Sequence, residues 1–388
     1  MRETGLRACA SELNAFLINI MSEAVEQITL KRLPLHESHS RLGATMKQQD
    51  GWLVPASFGD ENIEYAAVRE KGAGLIDLSS RGRFRVSGSE AEQFLNGLIT
   101  NDMKTLPENQ WMPAAFPNVQ GRLIASVRVG RIKDGFLIDT EAITGEKVFQ
   151  TLERFTFAGD FHVTELTHQT ILLSIQGKQA VEIVDKVLGK SAAKLPKNGL
   201  VQHEWLQHEL TIWRATHTAE DGLDLIFSDN DAQTLWDALV LKGARPVGYD
   251  AFETLRIEAG VPRYGVDVDE TNVVPEALED AVSYTKGCYI GQEIIARIKY
   301  RGHVAKKLIG IDFDRSIEVD QQAKIKSVAD KEIGRVTSTT FSPHLGRTIG
   351  LGYVKYDYAT PGTDVKVSST SGHIPARVAE LPFVERGD

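Results

Sequence analysis

The sequence predicts an α+β body followed by a small β-rich C-terminal domain, with the spacing of an antiparallel barrel or sandwich. Up to about residue 302, strand patterns of alternating apolar and polar residues lie between stretches of helical periodicity. Beyond that point, short apolar runs are separated by Gly, Pro, Asp and Ser. The 388 residues suffice for two or three domains, because single cores stop growing near roughly 250–300 residues.

The elements of the body follow from these patterns in chain order. A helix is predicted over 30–43, with Pro34 in its first turn, and a break over 51–55. Ser89 is the predicted N-cap of a helix over 90–98. Further helices are predicted over 62–71, 146–156, 178–188 and 232–242. Strands are predicted over 82–87, 171–175, 210–216 and 223–227, with a hairpin formed by 123–129 and 135–139.

The C-terminal domain is predicted from a series of short apolar runs. They cover residues 308–311, 333–336, 349–353, 365–367 and 376–378. We therefore expect an N-terminal extension over 1–29 that need not be ordered, an α+β body of two interwoven subdomains over 30–302, and a β-barrel domain over 303–388.

Charge and composition restrict the partners. The formal net charge is −9, so the chain has no overall attraction to phosphate backbones or anionic lipid. The apolar segment over 14–21 is too short to span a membrane, and no clear targeting peptide precedes it. We expect no nucleic-acid or membrane partner, and a cytoplasmic location.

The cysteine and histidine content argues against a resident metal. Cys9 and Cys288 are the only cysteines, and they cannot supply the four thiolates that an iron–sulfur cluster within one chain usually needs. His36 and His39 are three residues apart, but no cysteine or third histidine lies near them in the sequence. We predict no metal site.

The densest unexplained stretch is an octapeptide over residues 286–293, Lys-Gly-Cys-Tyr-Ile-Gly-Gln-Glu. Its two glycines indicate a tight turn or the close approach of another group. Lys286, together with the N-terminal dipole of a helix predicted over 292–299, favours a partly ionised and reactive Cys288. The alternative is a buried cysteine that packs as a small hydrophobe.

This octapeptide resembles the signature of the YgfZ family, folate-binding proteins similar to the glycine-cleavage T-protein and implicated in building or repairing iron–sulfur enzymes. The resemblance implies that Cys288 is the functional thiol and that iron–sulfur client or assembly proteins are partners. The residues that match around it are Lys286, Tyr289, Gly291, Gln292 and Glu293.

Most of the remaining chain resembles the aminomethyltransferases. The matching segments are 35–44, 67–77, 98–102, 220–224 and 256–265. The resemblance implies an aminomethyltransferase-like, folate-binding α+β body with a C-terminal β-barrel, and tetrahydrofolate or a one-carbon derivative as cofactor. It places Asp224 at the pterin, whose amino group and N3–H form a donor pair that suits a carboxylate. Glu220 is a second candidate for folate binding, and Arg256 is either a third or a structural ion-pair partner on its helix.

Two departures separate the sequence from the enzymes it resembles. The enzymes carry a G-G-x-x-D-D run, whereas residues 121–126 place Ala125 and Ser126 where the two acids stand. Phe252 replaces an arginine of the folate-site helix. The sequence therefore favours a folate-binding protein that supports iron–sulfur proteins. The alternatives are a tetrahydrofolate-dependent aminomethyltransferase or demethylase, and a scaffold that has lost folate; whether the chain is an enzyme stays open.

Overall fold

The computed structural model describes residues 30–70, 72–157, 159–189, 192–370 and 372–385. The predicted N-terminal extension over 1–29 lies outside the described residues. Within them, the chain forms three sheets, one closed barrel and a set of short helices. The fold class is α+β with a C-terminal barrel, as predicted.

The helices surround the sheets of the body. They are α1 His36–Arg41, α2 Glu61–Arg69, α3 Ala91–Leu98, α4 Ala142–Glu153, α5 Ala180–Leu188, α6 Ala232–Leu241, α7 Tyr249–Glu258 and α8 Gln292–Arg301. The predicted start of the first helix at residue 30 is wrong, because residues 31 and 32 pair in parallel with a strand instead. Ser89 does not cap α3; its hydroxyl donates to Asp160, and the helix begins at Ala91.

The strands of the body precede residue 250. They are β1 Lys31–Arg32, β2 Thr45–Gln49, β3 Trp52–Ser57, β4 Gly74–Asp77, β5 Gly82–Ser87, β6 Trp111–Pro117, β7 Leu123–Ile132, β8 Gly135–Thr140, β9 His162–Glu165, β10 Thr170–Gln176, β11 Leu200–Trp205, β12 His208–Arg214, β13 Gly222–Ser228 and β14 Arg245–Pro246. The predicted break over 51–55 is wrong, because Gly51 adopts a positive φ at a turn and β3 follows at once.

A six-stranded sheet forms the first half of the body, in the order β11-β12-β13-β10-β4-β14. Leu223, Leu225 and Phe227 of β13 lie in one core cluster with the apolar residues of α5 and α6. Asp224 and Ile226 leave β13 on the opposite side, because side chains alternate along a strand. A second layer covers that side, so Asp224 is only 1% exposed.

A five-stranded sheet forms the second half, in the order β6-β7-β8-β5-β9. The predicted hairpin is confirmed: β7 and β8 pair antiparallel, with Val127 opposite Thr140. Helices α3 and α4 bury their apolar sides against this sheet. Arg128 projects from β7 toward β13 of the six-stranded sheet, and its Nη1 reaches Asp224 Oδ2 at 2.6 Å.

The C-terminal strands close into a barrel in the order β15-β18-β17-β16-β19-β20. They are β15 Lys306–Asp312, β16 Lys324–Ser327, β17 Glu332–Ser342, β18 Arg347–Lys355, β19 Asp364–Ser369 and β20 Gly372–Ala379. Strand β15 pairs with β20, which closes the barrel. Of the two predicted architectures, the C-terminal domain is therefore the barrel and not the sandwich. The division of the chain at residues 302 and 303 stays a prediction. None of the helices described is long and apolar enough to cross a membrane.

Candidate functional site

A cavity opens between the two halves of the body, beside α7. It has about 620 Å³ of free space, its open mouth included. Its lining is contributed by loops that follow β2, β4 and β8, by the turn before β13, and by α7 with the loop after it. The lining residues are Gln49, Asp50, Leu78, Ser80, Arg81, Glu141, Ala142, His217, Tyr249, Phe252, Glu253, Arg256, Val261, Pro262 and Arg263.

The walls of the cavity are partly aromatic. The Phe252 ring lies 6.0 Å from the Tyr249 ring and 6.1 Å from the His217 ring, edge to face in both pairs. Tyr249 is buried and donates its hydroxyl to the Asp77 backbone carbonyl at 3.3 Å. Rings fixed in this way provide a rigid apolar surface for a planar ligand.

Asp224, the predicted pterin contact, lies behind the cavity wall. Its Oδ2 accepts from Arg128 Nη1 at 2.6 Å and lies 2.9 Å from His217 Nε2. Burial by itself raises the pKa of Asp224, but His217 and Arg128 outweigh burial and hold the pKa well below its usual range. His217 lines the cavity, whereas Asp224 is not among the lining residues. Asp224 is therefore removed from solvent.

Arg128 connects Asp224 to a second buried carboxylate. Its Nε lies 2.8 Å from Oδ2 of Asp139. Arg81 donates two hydrogen bonds to the same carboxylate, from Nε to Oδ1 and from Nη2 to Oδ2. The Arg128 guanidinium lies 5.4 Å from the centre of the Trp213 ring and 5.7 Å from that of Trp111. Two carboxylates and two guanidiniums therefore neutralise one another in an apolar setting.

Glu141 brings a carboxylate to the cavity itself. It precedes α4 as the N-cap residue, but its side chain makes no capping hydrogen bond. Both carboxylate oxygens instead accept from the Tyr264 backbone N–H, at 3.1 and 3.2 Å. Burial raises the pKa of Glu141 to about 7, against the opposing effect of Arg81. Glu141 is thus a cavity carboxyl with its pKa raised toward neutral pH.

Glu220 and Arg256, the other two predicted folate contacts, are committed to buried ion pairs. Glu220 is 4% exposed and lies 3.0 Å from Arg69 Nη1, so it is not a solvated turn acid. Arg256 pairs with Glu253 and Asp267 and donates to Ser338 Oγ of the barrel. Arg256 lines the cavity, but its described contacts fit the structural ion-pair alternative.

The octapeptide forms a loop that ends at α8. Cys288 is exposed, so the buried-cysteine alternative is wrong. Lys286 is buried and donates to the Ile99 and Asn101 carbonyls at 2.7 Å each. Burial lowers the pKa of Lys286 to about 8. These contacts show Lys286 anchoring the loop to the segment after α3, and no described contact joins it to the thiol.

Gly291 has a φ of +76° and is the N-cap residue of α8, which begins at Gln292. A Cβ on Gly291 would lie 2.3 Å from the Asn118 backbone oxygen, so close approach of the backbone requires glycine there. A Cβ on Gly287 would meet nothing within 4 Å. Tyr289 is buried. Gln292 Nε2 donates to the Lys286 backbone carbonyl at 3.3 Å, and Glu293 forms an ion pair with Arg297 at 2.7 Å.

The run that lacks the two acids lies on β7. Ala125 is buried in the core of the five-stranded sheet, and the Ser126 carbonyl accepts from Thr140 Oγ1 at 2.8 Å. Ser126 lines a different cavity, at the junction with the barrel. Neither residue brings a carboxylate to the cavity beside α7.

Sequence reasoning missed Arg81, Arg128, Glu141 and His217. The only local signal is a charged or polar residue next to a predicted strand, which is common on protein surfaces. No group of three or more His, Cys, Asp or Glu side chains within the described ranges is arranged to hold a metal ion. His39 Nε2 is 2.8 Å from Asp77 Oδ2, in a buried contact.

A six-stranded sheet, a five-stranded sheet, a closed C-terminal barrel and a charged cavity between the two sheets define the class of the aminomethyltransferase fold. Residues 35–286 match the GCVT N-terminal domain, and residues 306–385 match the glycine cleavage T-protein C-terminal barrel domain. The chain therefore belongs to the glycine cleavage T-protein family.

Similar proteins support this membership along nearly the whole chain. The aminomethyltransferase of Rubrobacter xylanophilus is 33% identical over 365 residues, which cover 94% of this chain and 96% of that protein. The aminomethyltransferase of Desulforamulus reducens is 30% identical over 364 residues, which cover 92% of this chain and 99% of that protein. The crystal structure of glycine cleavage system aminomethyltransferase T from Bartonella henselae superposes with a TM-score of 0.86 at 25% identity. The superposition covers 92% of this chain and 99% of that one. Aminomethyltransferases of this family use tetrahydrofolate as their one-carbon carrier.

Proposed function

We propose that the chain is a folate-dependent protein of the aminomethyltransferase type that binds tetrahydrofolate, or a one-carbon derivative, in the cavity beside α7. The observation that carries the proposal is the combination of aromatic and apolar walls with charged groups inside one cavity, in a chain of this family. This reverses the order of the sequence-based hypotheses, because the relatives are aminomethyltransferases along nearly their full length.

The residues present fit a reduced folate. Phe252 and Tyr249 offer flat surfaces to a pterin ring, and Glu141 offers a carboxylate to its donor edge. Arg263 also lines the cavity, where a guanidinium group suits the carboxylates of a glutamate tail. When bound, tetrahydrofolate supplies the nitrogen that carries the one-carbon unit.

The experiment is a calorimetric and thermal-shift titration of the full chain with 5-formyltetrahydrofolate, a stable probe of the pterin site. We expect saturable binding with one site per chain and a rise in the melting temperature. An absence of both heat and thermal shift would falsify folate binding and favour a scaffold that has lost folate. Formation of methylenetetrahydrofolate from an aminomethyl donor would show turnover despite the absence of acids at residues 125 and 126.

We propose a second function on the strength of the octapeptide: membership of the YgfZ branch and support of iron–sulfur proteins through Cys288. The supporting observation is that Cys288 is exposed on a loop that Lys286 anchors from the inside. A Cβ built on Gly287 would also meet nothing within 4 Å, so there is open space beside the residue that precedes the cysteine. Both features leave the thiol open to a client or assembly protein.

The test is complementation of a deletion strain, with iron–sulfur enzyme activity as the readout. Cys288→Ser should fail to restore that activity, while Cys9→Ser, the matched control, should restore it. Full restoration by Cys288→Ser removes this second function and leaves the folate proposal intact, because that proposal does not use the thiol.

A further inference from the structure

We propose that Glu141, rather than Asp224, is the carboxylate that pairs with the donor edge of the pterin in the cavity beside α7. The inference rests on the proposed folate function and names the residue that orients the ligand. It differs from the assignment that the sequence suggests, which placed the pterin on Asp224.

The two carboxylates differ in their remaining capacity to accept hydrogen bonds. Asp224 Oδ2 is within 2.9 Å of two donors, Arg128 Nη1 and His217 Nε2, and Oδ1 lies 3.2 Å from the same His217 nitrogen. For Glu141, the described residues provide one donor, the Tyr264 backbone N–H shared between both oxygens. A carboxylate offers about four acceptor positions, so Glu141 keeps room for a donor pair. Asp224 is 1% exposed and does not line the cavity, so its remaining lone pairs are out of reach of a ligand there.

The position of Glu141 also supports its role as the carboxylate that contacts the pterin. Glu is not among the residues preferred at an N-cap, so its side chain can turn away from the first amides of the helix. Glu141 makes no capping bond; the loop amide of Tyr264 holds its carboxylate at the cavity instead. The group is thereby fixed in place before a ligand arrives, which reduces the entropy lost on binding.

The electrostatic surroundings support a switch of charge on binding. Burial raises the pKa of Glu141 to about 7, Arg81 and the Tyr264 amide oppose the rise, and Asp50 adds to it. The other charged or titratable groups that line the cavity are His217, Glu253, Arg256 and Arg263. A pterin donor pair stabilises the ionised carboxylate, so binding below neutral pH requires Glu141 to release its proton.

The test is calorimetry of the full chain with 5-formyltetrahydrofolate at pH 6 and pH 8, in buffers of different ionisation enthalpy. With the pKa of Glu141 at about 7 in the free protein, we expect release of most of one proton at pH 6, less release at pH 8, and affinity that rises by up to about tenfold between them. Glu141→Gln should abolish the release and weaken binding at pH 8 by about tenfold or more. Asp364→Asn is the control, since Asp364 forms an exposed pair with Arg377 of the barrel, does not line the cavity and should keep the proton release.

The outcomes separate this inference from the folate function. Binding by wild type without proton release at pH 6 overturns the role of Glu141 but leaves folate binding standing. Release that persists in Glu141→Gln also overturns it. No binding by wild type rejects the folate function itself. Should Glu141→Gln not fold, the proton count of wild type at pH 6 still decides.

Discussion

Arg128 Nη1 lies 2.6 Å from Oδ2 of Asp224, although 96 residues separate the two in the chain. The ion pair joins β7 of the five-stranded sheet to β13 of the six-stranded sheet, with both side chains largely removed from solvent. The carboxylate that the sequence assigns to the ligand is therefore neutralised within the protein. Its first role is to hold the two halves of the body together across the back of the cavity.

Asp224→Asn should lower the free energy of unfolding by about 3–5 kcal/mol, because it leaves the buried Arg128 without part of its compensating charge. Urea unfolding measures the change. Asp364→Asn is the control, since Asp364 forms an exposed pair with Arg377 and should cost less than about 1 kcal/mol. An Asp224→Asn variant that is as stable as wild type but no longer binds 5-formyltetrahydrofolate would restore Asp224 as the ligand contact.

Stability should fall in acid because of the same network. Burial by itself raises the pKa of Asp139, but Arg128 and Arg81 outweigh it and lower the pKa to about 2. The folded pKa lies below the unfolded value of about 3.9, so the contribution of this ionisation is complete above that value. It is lost as pH falls toward about 2.

Urea unfolding between pH 5 and pH 2 checks this dependence by comparing wild type with Asp139→Asn. The stability difference between them should shrink as the pH falls, because only wild type has a carboxylate at residue 139 to protonate. A difference that stays constant over this range would contradict the assignment of the lowered pKa to Asp139.

Phe252→Ala should weaken binding of 5-formyltetrahydrofolate by about 5- to 150-fold, the equivalent of about 1–3 kcal/mol for loss of one flat aromatic contact. Calorimetry at pH 8 measures the affinity. Phe157→Ala is the control, because Phe157 is 93% exposed and does not line the cavity. Equal affinities for wild type and Phe252→Ala would remove Phe252 from the pterin site.

The two glycines of the octapeptide should respond differently to alanine. Gly291→Ala should destabilise the fold by about 2 kcal/mol or more, because the new Cβ meets the Asn118 backbone oxygen at 2.3 Å in a left-handed conformation. Gly287→Ala should change stability by less than about 1 kcal/mol, since its Cβ would enter open space. Thermal unfolding of both variants checks the contrast. Equal losses would mean that the loop around Cys288 packs differently from the arrangement described.

Local patterns predicted the fold class and most strands, because each depends on which side of one element meets the core. Alternation along β13 placed Leu223 and Leu225 in the core and Asp224 on the other side. The same pattern could not show that the other side is also covered. That coverage comes from Arg128 and His217, which reach Asp224 from elsewhere in the fold.

The candidate site, like the fold, was predicted only in part from the sequence. The sequence by itself determined the α+β body, the C-terminal strands and the octapeptide with its cysteine, since periodicity and short motifs are properties of neighbouring residues. Only the tertiary structure decided that Asp224 pairs internally, that Glu141 lines the cavity and that Cys288 is exposed. Burial and charge pairing arise between segments far apart in the chain, and in this molecule those contacts set the charge state of each carboxylate.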